Sequence, residues 1–414
     1  KFDELKGIIG KSKAASKQND ITVNDQGLTN EEYEKEKKLK KKPKKELTEE
    51  EKALLEELKK KKKVRNDAIS ILRGISIRMP LLIYGADVPY DEEITLERFI
   101  EKVDDSSWNE FMPSGVTKEV FQEFKKYYDE DVFIAAGRRI RNIAREADTL
   151  EPTERVKKIA SLFSNFKNPD KETVLTPWRV VNLHMSDTLG GYDFWDEKHE
   201  YEVDEPRFVD RGKVTVETFN NTSAQVLEIN SKTGLYPLYV TYSIYRAKCK
   251  DYNDDELTLE LERKMWNDTI QNNIFVICKT PMAKQITQRT LAGYSNIKIN
   301  AHYFDDLINQ MENKPQQFID RVQKPSYWKK GDIGRMKFDA VVGNPPYMQM
   351  DGGAQASAKP IYQHFVSTAK ALEPSYLSFI MPTRWYAGGK GLDDFRDQML
   401  NDKHIETLFD CVTP

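Results

Sequence analysis

The chain has 414 residues, two to three times the size of a typical domain, so we expect two or three structural units. Its 64 lysine and arginine residues nearly balance 67 aspartate and glutamate residues, and the resulting net charge of −3 identifies no binding partner. A hydrophobic fraction of 39% excludes global disorder, and no apolar run approaches the ~18 residues needed to cross a bilayer. We therefore expect a soluble cytoplasmic protein without a membrane partner.

The cysteines and the chain ends lead to two further expectations. Cys249, Cys278 and Cys411 are far apart and lack a C-x-x-C spacing, which argues against a disulfide framework and against a zinc site. The chain starts at Lys1 rather than at a methionine, and it stops at Pro414 directly after a strand-like run. We expect a fragment of a longer polypeptide, with no metal site in it.

Residues 1–66 form a charged segment that we predict to be helical or disordered. Lysine and glutamate dominate residues 31–65, so little of this segment can be buried. Thr48 suits the N-cap of a helix that begins at Glu49. The lysines could contact DNA phosphates, or they could belong to a solvated helical face or linker, and both interpretations stay open.

Apolar residues at spacings of three and four predict an all-α domain over residues 67–171. Gly74, Pro80 and Gly85 are predicted to interrupt its helices. The basic stretch 138–145 is predicted to be a helix that either contacts nucleic acid or presents a charged outer face. No alternating pattern indicates a strand in this region.

From about residue 172 the pattern changes to short apolar runs separated by helical stretches. Repeated strand-helix units predict an α/β domain over residues 172–414, with a mostly parallel sheet covered by helices on both faces. Ligands bind such sheets at the carboxyl ends of the strands. The six predicted strand runs are Val226–Ile229, Ile274–Ile277, Ile297–Ile299, Phe338–Val342, Tyr376–Ile380 and Ile405–Phe409.

The fourth run ends in a turn with an unusual combination of residues, Asn344-Pro345-Pro346-Tyr347. The prolines stop the strand and remove backbone donors, so the carbonyl groups before them are free to accept other hydrogen bonds. Together with the side-chain oxygen of Asn344 they offer two acceptors to an amino group, while Tyr347 offers an aromatic face to the ring that carries it. Adenine is a planar heterocycle with an exocyclic amine, so the turn indicates chemistry on that amine.

The turn and its flanks resemble the S-adenosylmethionine-dependent DNA amino-methyltransferases that act on adenine N6 in restriction-modification systems. Asn344, Pro345, Pro346 and Tyr347 match the catalytic motif of that family. The resemblance implies a Rossmann-like methyltransferase fold, S-adenosylmethionine as the cofactor and double-stranded DNA as the partner, with the target adenine flipped from the duplex onto Tyr347. Protein-glutamine and RNA amino-methyltransferases carry the same tetrapeptide and stay as alternatives.

The resemblance also implies a set of cofactor-binding residues. Thr176 and Pro177 look like the family's Thr-Pro motif, which contacts the methionine part of the cofactor, and Thr176 also suits a helix N-terminus that faces a carboxylate. After the first strand run, Glu228 and Gly234 fit the acidic residue and the glycine of the family's cofactor loop. Asn230 lies in the middle of this loop, which keeps only one glycine.

Of two further positions in the family's cofactor site, the first does not match the family pattern in this sequence and the second does. The second strand run ends at Cys278 and Lys279 and lacks the acid that holds the ribose in relatives. After the third run, Asp305 resembles the aspartate that binds the cofactor's adenine amine, with Asp306 as the alternative and helix capping as the other interpretation. The altered loop and the missing acid predict weak cofactor binding or none. Together with a chain end before the expected last strand, they predict no methylation by residues 1–414 alone, and they leave open a catalytically impaired coupling module that binds DNA.

The order of the motifs is that of the gamma class within this family. Segments 361–366 and 375–385 resemble the fifth and sixth motifs and follow the catalytic turn. Family members continue with a seventh strand and a target-recognition domain, so residues 172–414 are expected to form an incomplete catalytic domain. Residues 72–85 are weakly similar to the helical coupler of single-polypeptide restriction enzymes, which implies helicase and nuclease domains on the same full-length polypeptide as partners.

Overall fold

The structure is a computed structural model that describes residues 28, 30–43, 46–113, 115–125, 128–166, 175–253, 255–331, 334–349 and 358–410. The first 27 residues of the charged segment and the chain end from Cys411 to Pro414 lie outside the described residues. Residues 167–174, where the predicted boundary between the helical and α/β domains falls, also lie outside them.

The charged segment contains helix α1 (Asn30–Lys40) and the start of the much longer helix α2 (Glu49–Gly85). The predicted N-cap is confirmed, because Thr48 and Glu51 form a capping box in which each side chain accepts a hydrogen bond from the main-chain N–H of the other residue, at 3.2 and 3.1 Å. This closed pair satisfies donors that the first turn of the helix leaves free.

Lysines on α2 are paired with glutamates on α1. Lys61 lies 2.8 Å from Glu32, and Lys62 lies 2.5 Å from Glu36. These ion pairs hold the two helices side by side, which favours the interpretation of the segment as a solvated helical pair over a free arm for DNA.

The prediction that Gly74 and Pro80 interrupt a helix is wrong, since α2 runs through both and ends at Gly85. A glycine and a proline disfavour a helix interior by about 1 and about 3 kcal/mol. The apolar face of α2, including Ile75 and Leu82, is fully buried in the main core. Burial of this face outweighs the local preference of the two residues, which is a tertiary effect that the local pattern does not contain.

Five more helices complete the amino-terminal region, and the described residues between 64 and 166 contain no strand, as the sequence indicates. No helix among the described residues combines the length and apolar character needed to cross a membrane. The helices are α3 (Leu96–Lys102), α4 (Asp105–Phe111), α5 (Lys118–Phe124), α6 (Glu130–Ala147) and α7 (Pro152–Ser164).

A short unit that the sequence pattern did not indicate connects this region to the sheet. Helix α8 (Trp178–Thr188) leads into an antiparallel hairpin of β1 (Gly191–Trp195) and β2 (Glu202–Val209), followed by α9 (Lys213–Thr218). Tyr192 and Phe194 of β1 are buried, so the hairpin packs against the main core.

The carboxyl-terminal region contains a five-stranded parallel sheet in the order β5-β4-β3-β6-β9, so the predicted α/β, Rossmann-like fold preceded by a helical region is confirmed. Its strands are β3 (Val226–Ser231), β4 (Ile274–Cys278), β5 (Asn300–Tyr303), β6 (Ala340–Gly343) and β9 (Tyr376–Phe379), and β7 (Met348–Gln349) pairs with β8 (Lys359–Pro360) outside the sheet. The helices between and after them are α10 (Leu235–Cys249), α11 (Leu259–Asn272), α12 (Pro281–Ala292), α13 (Leu307–Asn313), α14 (Pro315–Val322), α15 (Tyr362–Ala371) and α16 (Asp393–Asn401).

Two of the six predicted strand runs need correction. The run Ile297–Ile299 lies just before β5, which begins at Asn300. Residues 405–409 form no strand, and Leu408 and Phe409 are about half exposed. An apolar run becomes a strand when a neighbour satisfies its backbone groups, and no described strand lies beside this one.

Alternating side chains divide the sheet between two cores. Val226 and Val276 face the same core as α2, α6 and α10, whereas Leu227 and Ile277 face the core formed with α13, α14 and α15. The amino-terminal helices and one face of the sheet therefore share a single continuous core. The predicted boundaries at 66/67 and 171/172 remain predictions, and α2 runs without a break across the first of them.

Gly85 tests how closely α2 docks on α12. A Cβ atom at this position would overlap the side chain of Ile286 and would lie 2.7 Å from Sδ of Met282. We expect Gly85→Ala to lower the free energy of unfolding by about 1–3 kcal/mol, measured by chemical denaturation. Gly137→Ala is the matched control, because a Cβ there meets Ile83 at an ordinary 3.6 Å and the helical alanine should be neutral or stabilising by up to about 1 kcal/mol. Equal effects of the two substitutions would contradict the close docking.

Candidate active site

The predicted catalytic turn leaves the carboxyl end of β6, next to the central strand β3. Gly343 has a φ of +153°, and a Cβ atom there would lie 3.0 Å from the carbonyl oxygen of Ile229. Glycine is therefore required for the close approach of β6 to the end of β3. The turn is held at both ends, because the carbonyl groups of Gly343 and Tyr347 accept hydrogen bonds from the N–H groups of Ile380 and Ile361, at 3.2 and 3.1 Å.

Asn344 contacts two other predicted site residues, one through its side chain and one through its main chain. Its Nδ2 donates to Oγ1 of Thr176 at 3.0 Å, and its main-chain carbonyl accepts a hydrogen bond from Nδ2 of Asn230 at 3.4 Å. Oδ1 of Asn344 is buried and has no hydrogen-bond partner among the described residues. The structure thus brings Thr176, Asn230 and Asn344 together and leaves one amide oxygen of the turn available as an acceptor.

The rest of the turn supplies a stiff, apolar wall. Pro345 is buried, and Pro346 and Tyr347 are partly exposed. Burial raises the pKa of the Tyr347 hydroxyl, although the Asn344 side chain beside it acts in the opposite direction. The phenol is therefore neutral at physiological pH and presents its ring and hydroxyl without charge.

The predicted cofactor loop has a left-handed residue on each side. Asn230, near the end of β3, has a φ of +72° in the left-handed region, where asparagine is the side chain tolerated best after glycine. Gly234 has a φ of +77° and is the N-cap of α10, and a Cβ there would lie 3.1 Å from Cα of Thr287. The role of this segment toward a cofactor stays a prediction.

Glu228 is a buried acid within β3. Its side chain is 6% exposed, and Oε2 has no hydrogen-bond partner within the part of the chain that the structure describes. Burial raises the pKa of Glu228 to about 8, against a smaller opposite effect of a hydrogen bond with Ser231. The carboxyl is protonated at neutral pH in the absence of a ligand, and a cation placed beside it would favour its ionised form.

Thr176 differs from the expectation of a helix cap. Helix α8 begins at Trp178, its N-cap is Pro177, and no side chain caps it. Because the hydroxyl of Thr176 accepts from Asn344, it contacts the catalytic turn and not the helix N-terminus. Thr176 therefore contacts the turn, Pro177 follows Thr176 as the N-cap of α8, and the predicted role of both residues toward the cofactor remains a prediction.

Asp305 lies apart from this cluster, at the end of β5. It is exposed, and one of its oxygens accepts a hydrogen bond from Oγ of Ser106 at 3.0 Å. Asp305 also lines a cavity of about 470 Å³ whose wall includes Gln349, shortly after the catalytic turn. The alternative residue, Asp306, is the N-cap of α13 without a capping hydrogen bond and accepts instead from Gln310 at 3.0 Å.

The amino-terminal helices reach the strand ends in a way that sequence reasoning missed. Helix α4 contributes Glu110, which accepts a hydrogen bond from the hydroxyl of Thr280 at 2.5 Å. Thr280 directly follows Cys278 and Lys279, where the sequence lacks the acid that relatives carry. Helix α4 also contributes Ser107, which accepts from the N–H of Met282 at 2.9 Å. No motif signals these residues, because their role depends on which helix docks there. In the described ranges, no group of three or more His, Cys, Asp or Glu side chains is arranged to hold a metal ion.

Two comparisons with known proteins found sequence similarity to methylases. Residues 272–413, which include the catalytic turn, match the family model described as Eco57I restriction-modification methylase. A protein of Mycoplasma pneumoniae, described as an uncharacterized adenine-specific methylase, is 38% identical over 82 residues, which are 19% of this chain and 19% of that protein. The chain thus spans about a fifth of that relative in the aligned stretch. Both similarities are to methylases, and the second is to one described as adenine-specific.

A solved structure was also found by similarity of fold. It is described as a cryo-electron microscopy structure of a DrdV–DNA complex, and the alignment covers 96% of this chain and 36% of that chain, with 12% identity and a TM-score of 0.35. A TM-score of this size does not establish a common fold.

The raised pKa of Glu228 predicts a pH-dependent cost in stability. Below pH ~4.3 the carboxyl of Glu228 is protonated in both the folded and the unfolded chain. Between pH ~4.3 and about pH 8 this carboxyl loses its proton only in the unfolded chain, so the free energy of unfolding falls as pH rises. Glu228→Gln has no such proton to lose. We expect the variant to gain stability relative to the parent on going from pH 5 to pH 8, by on the order of 3 kcal/mol.

Chemical denaturation at both pH values measures this difference. Glu260→Gln, on an exposed position of α11, is the control and should show no such trend. A constant difference between Glu228→Gln and the parent across the pH range would mean that Glu228 is ionised in the folded protein.

Proposed function

We propose that the protein transfers a methyl group from S-adenosylmethionine to the N6 amine of adenine in double-stranded DNA, as the modification activity of a restriction-modification system. The observation that carries this proposal is the buried, unpartnered Oδ1 of Asn344, placed beside Tyr347 at the carboxyl end of β6. This acceptor lies within residues 272–413, the part of the chain that resembles restriction-modification methylases.

The turn would act by holding the target amine. Oδ1 of Asn344 and the carbonyl of Pro345 accept its two hydrogens, while the ring of Tyr347 stacks on the flipped base. As the amine nitrogen bonds to the methyl carbon, the bond from that carbon to sulfur breaks and the amine gains positive charge. The two acceptors interact more strongly with this developing charge than with the neutral amine, so they lower the barrier, and the surplus proton then leaves to water.

The residues at the end of β3 fit the cationic cofactor. S-adenosylmethionine supplies the methyl group on a positively charged sulfonium. Glu228 offers a buried oxygen without a described partner, and its neutral form would ionise beside such a cation. Asn230 and Gly234 keep the backbone course that allows a close approach, and Thr176 and Pro177 would complete the wall on the side of α8. Asp305 would hold the adenine of the cofactor once its contact with Ser106 opens or is shared.

The order of the segments favours the gamma class of these enzymes. The helical region would be the coupler, because α4 contacts the loops after β4 and β5 and because its core continues into one face of the sheet. In a single-polypeptide restriction enzyme, such a coupler would transmit the position of helicase and nuclease domains to the methyltransferase site. These partners would lie on the same full-length polypeptide.

Asn344→Ala tests the proposed reaction. Loss of the acceptor oxygen should reduce methyl transfer by about a hundredfold or more, because this oxygen interacts most strongly with the charge that develops in the transition state. Transfer of a labelled methyl group by the full-length protein to duplex DNA that lacks N6-methyladenine is the measurement. Tyr347→Phe is the matched control in the same turn, since it keeps the stacking ring and should retain most of the activity.

Two outcomes would contradict the proposal. Activity of Asn344→Ala within about threefold of the parent, only ~0.7 kcal/mol in barrier, would remove the assigned role of Asn344. Methyl transfer to RNA or to a protein glutamine, and not to DNA, would support the amino-methylation reaction but contradict the proposed DNA substrate.

Calorimetry with S-adenosylmethionine separates an active enzyme from an impaired coupling module, because the impaired module should not bind the cofactor.

A further inference from the structure

A chain of hydrogen bonds runs behind the candidate site, through four side chains that the proposed reaction does not use. His184 on α8 contacts Oη of Tyr236 through Nδ1 at 2.7 Å and Oγ of Ser378 through Nε2 at 2.8 Å. Ser378, on β9, donates to Oγ1 of Thr188 at 2.8 Å. Thr188 donates to the carbonyl of His184, one turn earlier on α8, at 2.7 Å. The chain thus connects three separate elements.

The direction of every bond in this chain follows from counting protons. The one proton of Thr188 is used on a carbonyl, which only accepts, so Thr188 accepts from Ser378. The one proton of Ser378 is then used as well, so Ser378 must accept from Nε2–H of His184. A neutral imidazole has one N–H, which makes Nδ1 an acceptor and Tyr236 the donor to it.

His184 is neutral, as this deduction requires. Burial lowers its pKa to about 4, so the ring carries no charge at physiological pH. The His184 carbonyl accepts at one end of this series of hydrogen bonds, and the neutral imidazole has a single N–H. Together they allow only one arrangement of the protons on Thr188, Ser378, His184 and Tyr236. Tyr236 is therefore held with its proton directed toward His184 and its lone pairs directed elsewhere.

Tyr236 is buried next to the predicted cofactor loop. It is 3% exposed and follows Gly234 in the first turn of α10. Its pKa is raised well above the usual value of 10, first by burial and then by Glu228 and Tyr347, which would carry negative charge if ionised. Glu228 belongs to the proposed cofactor side and Tyr347 to the proposed base side, so Tyr236 interacts electrostatically with both.

We propose that Tyr236 is a cofactor-binding residue whose oxygen accepts the polarised C–H groups of the sulfonium methyl, and that His184, Ser378 and Thr188 are positioning residues that keep this oxygen an acceptor. This inference rests on the proposed methyl transfer and deepens it. A sulfonium withdraws electron density from its methyl group, so these C–H groups are better donors than those of an ordinary thioether, and a lone pair fixed toward them favours the charged cofactor.

The test compares two ligands that differ in this charge. S-adenosylmethionine carries the sulfonium, and S-adenosylhomocysteine has a neutral thioether and no methyl group. Isothermal calorimetry with the purified protein should show that Tyr236→Phe weakens S-adenosylmethionine binding about fivefold and leaves S-adenosylhomocysteine binding unchanged. Equal losses for both ligands, or no loss for either, would overturn the inference.

Two substitutions of His184 separate positioning from packing. His184→Asn places an amide oxygen near the position of Nδ1, where it can accept the Tyr236 proton, and should keep the preference for S-adenosylmethionine. His184→Gln reaches Ser378 with its amide N–H and loses the acceptor for Tyr236, so the hydroxyl can turn and the preference should fall as in Tyr236→Phe. If His184→Asn and His184→Gln bound S-adenosylmethionine with the same affinity, the positioning role of His184 would be overturned. This comparison holds even if Tyr236→Phe proved too unstable to purify.

The proposed function and this inference fail in different ways. Binding of neither ligand by the parent protein would contradict the proposed methyl transfer and the inference with it. Binding of both ligands by the parent, with an unchanged ratio of affinities in Tyr236→Phe and in His184→Gln, would leave the methyl transfer standing and overturn only the role of Tyr236.

Discussion

The parallel pairing of β3 with β6 is the constraint on which the rest of the site depends. The register sets Glu228 opposite Val342, so the loop after β3 and the turn after β6 leave the same edge of the sheet side by side. Gly343 permits the approach by lacking a side chain where the carbonyl of Ile229 comes closest. Every contact between the proposed cofactor loop and the catalytic turn, including the one from Asn230 to the Asn344 carbonyl, follows from this neighbourhood.

Three features at this edge disfavour folding. Glu228 is a buried acid, Asn230 adopts a left-handed backbone, and Asn344 has a buried oxygen without a described partner. Each costs about 1 kcal/mol or more, and such departures cluster where a ligand can satisfy them. The core shared with the amino-terminal helices offsets part of this cost, because α2 buries its apolar face against α12 beside the same loops. The helical region therefore stabilises the site besides contacting it through α4.

Local patterns predicted the features that depend on neighbours in sequence. The apolar runs gave four of the five sheet strands, and the capping residues around Thr48 gave the start of α2. Features that depend on distant partners were not predictable in this way: α2 passes through Pro80 because its far side is buried, and residues 405–409 form no strand because no described neighbour pairs with them. The Asn-Pro-Pro-Tyr turn could be singled out because its four residues are consecutive, whereas Glu110 and Tyr236 make contacts with residues distant in sequence that no spacing encodes.

Glu228 is proposed to stay protonated until a cationic cofactor binds beside it. Calorimetry of S-adenosylmethionine binding at pH 7, in two buffers of different ionisation enthalpy, measures the protons released. We predict release of close to one proton by the parent protein and almost none by Glu228→Gln, because the cation would lower a pKa that burial had raised to about 8. Binding with no proton release, or the same release from both proteins, would contradict the proposal that the buried acid in β3 holds the charged part of the cofactor.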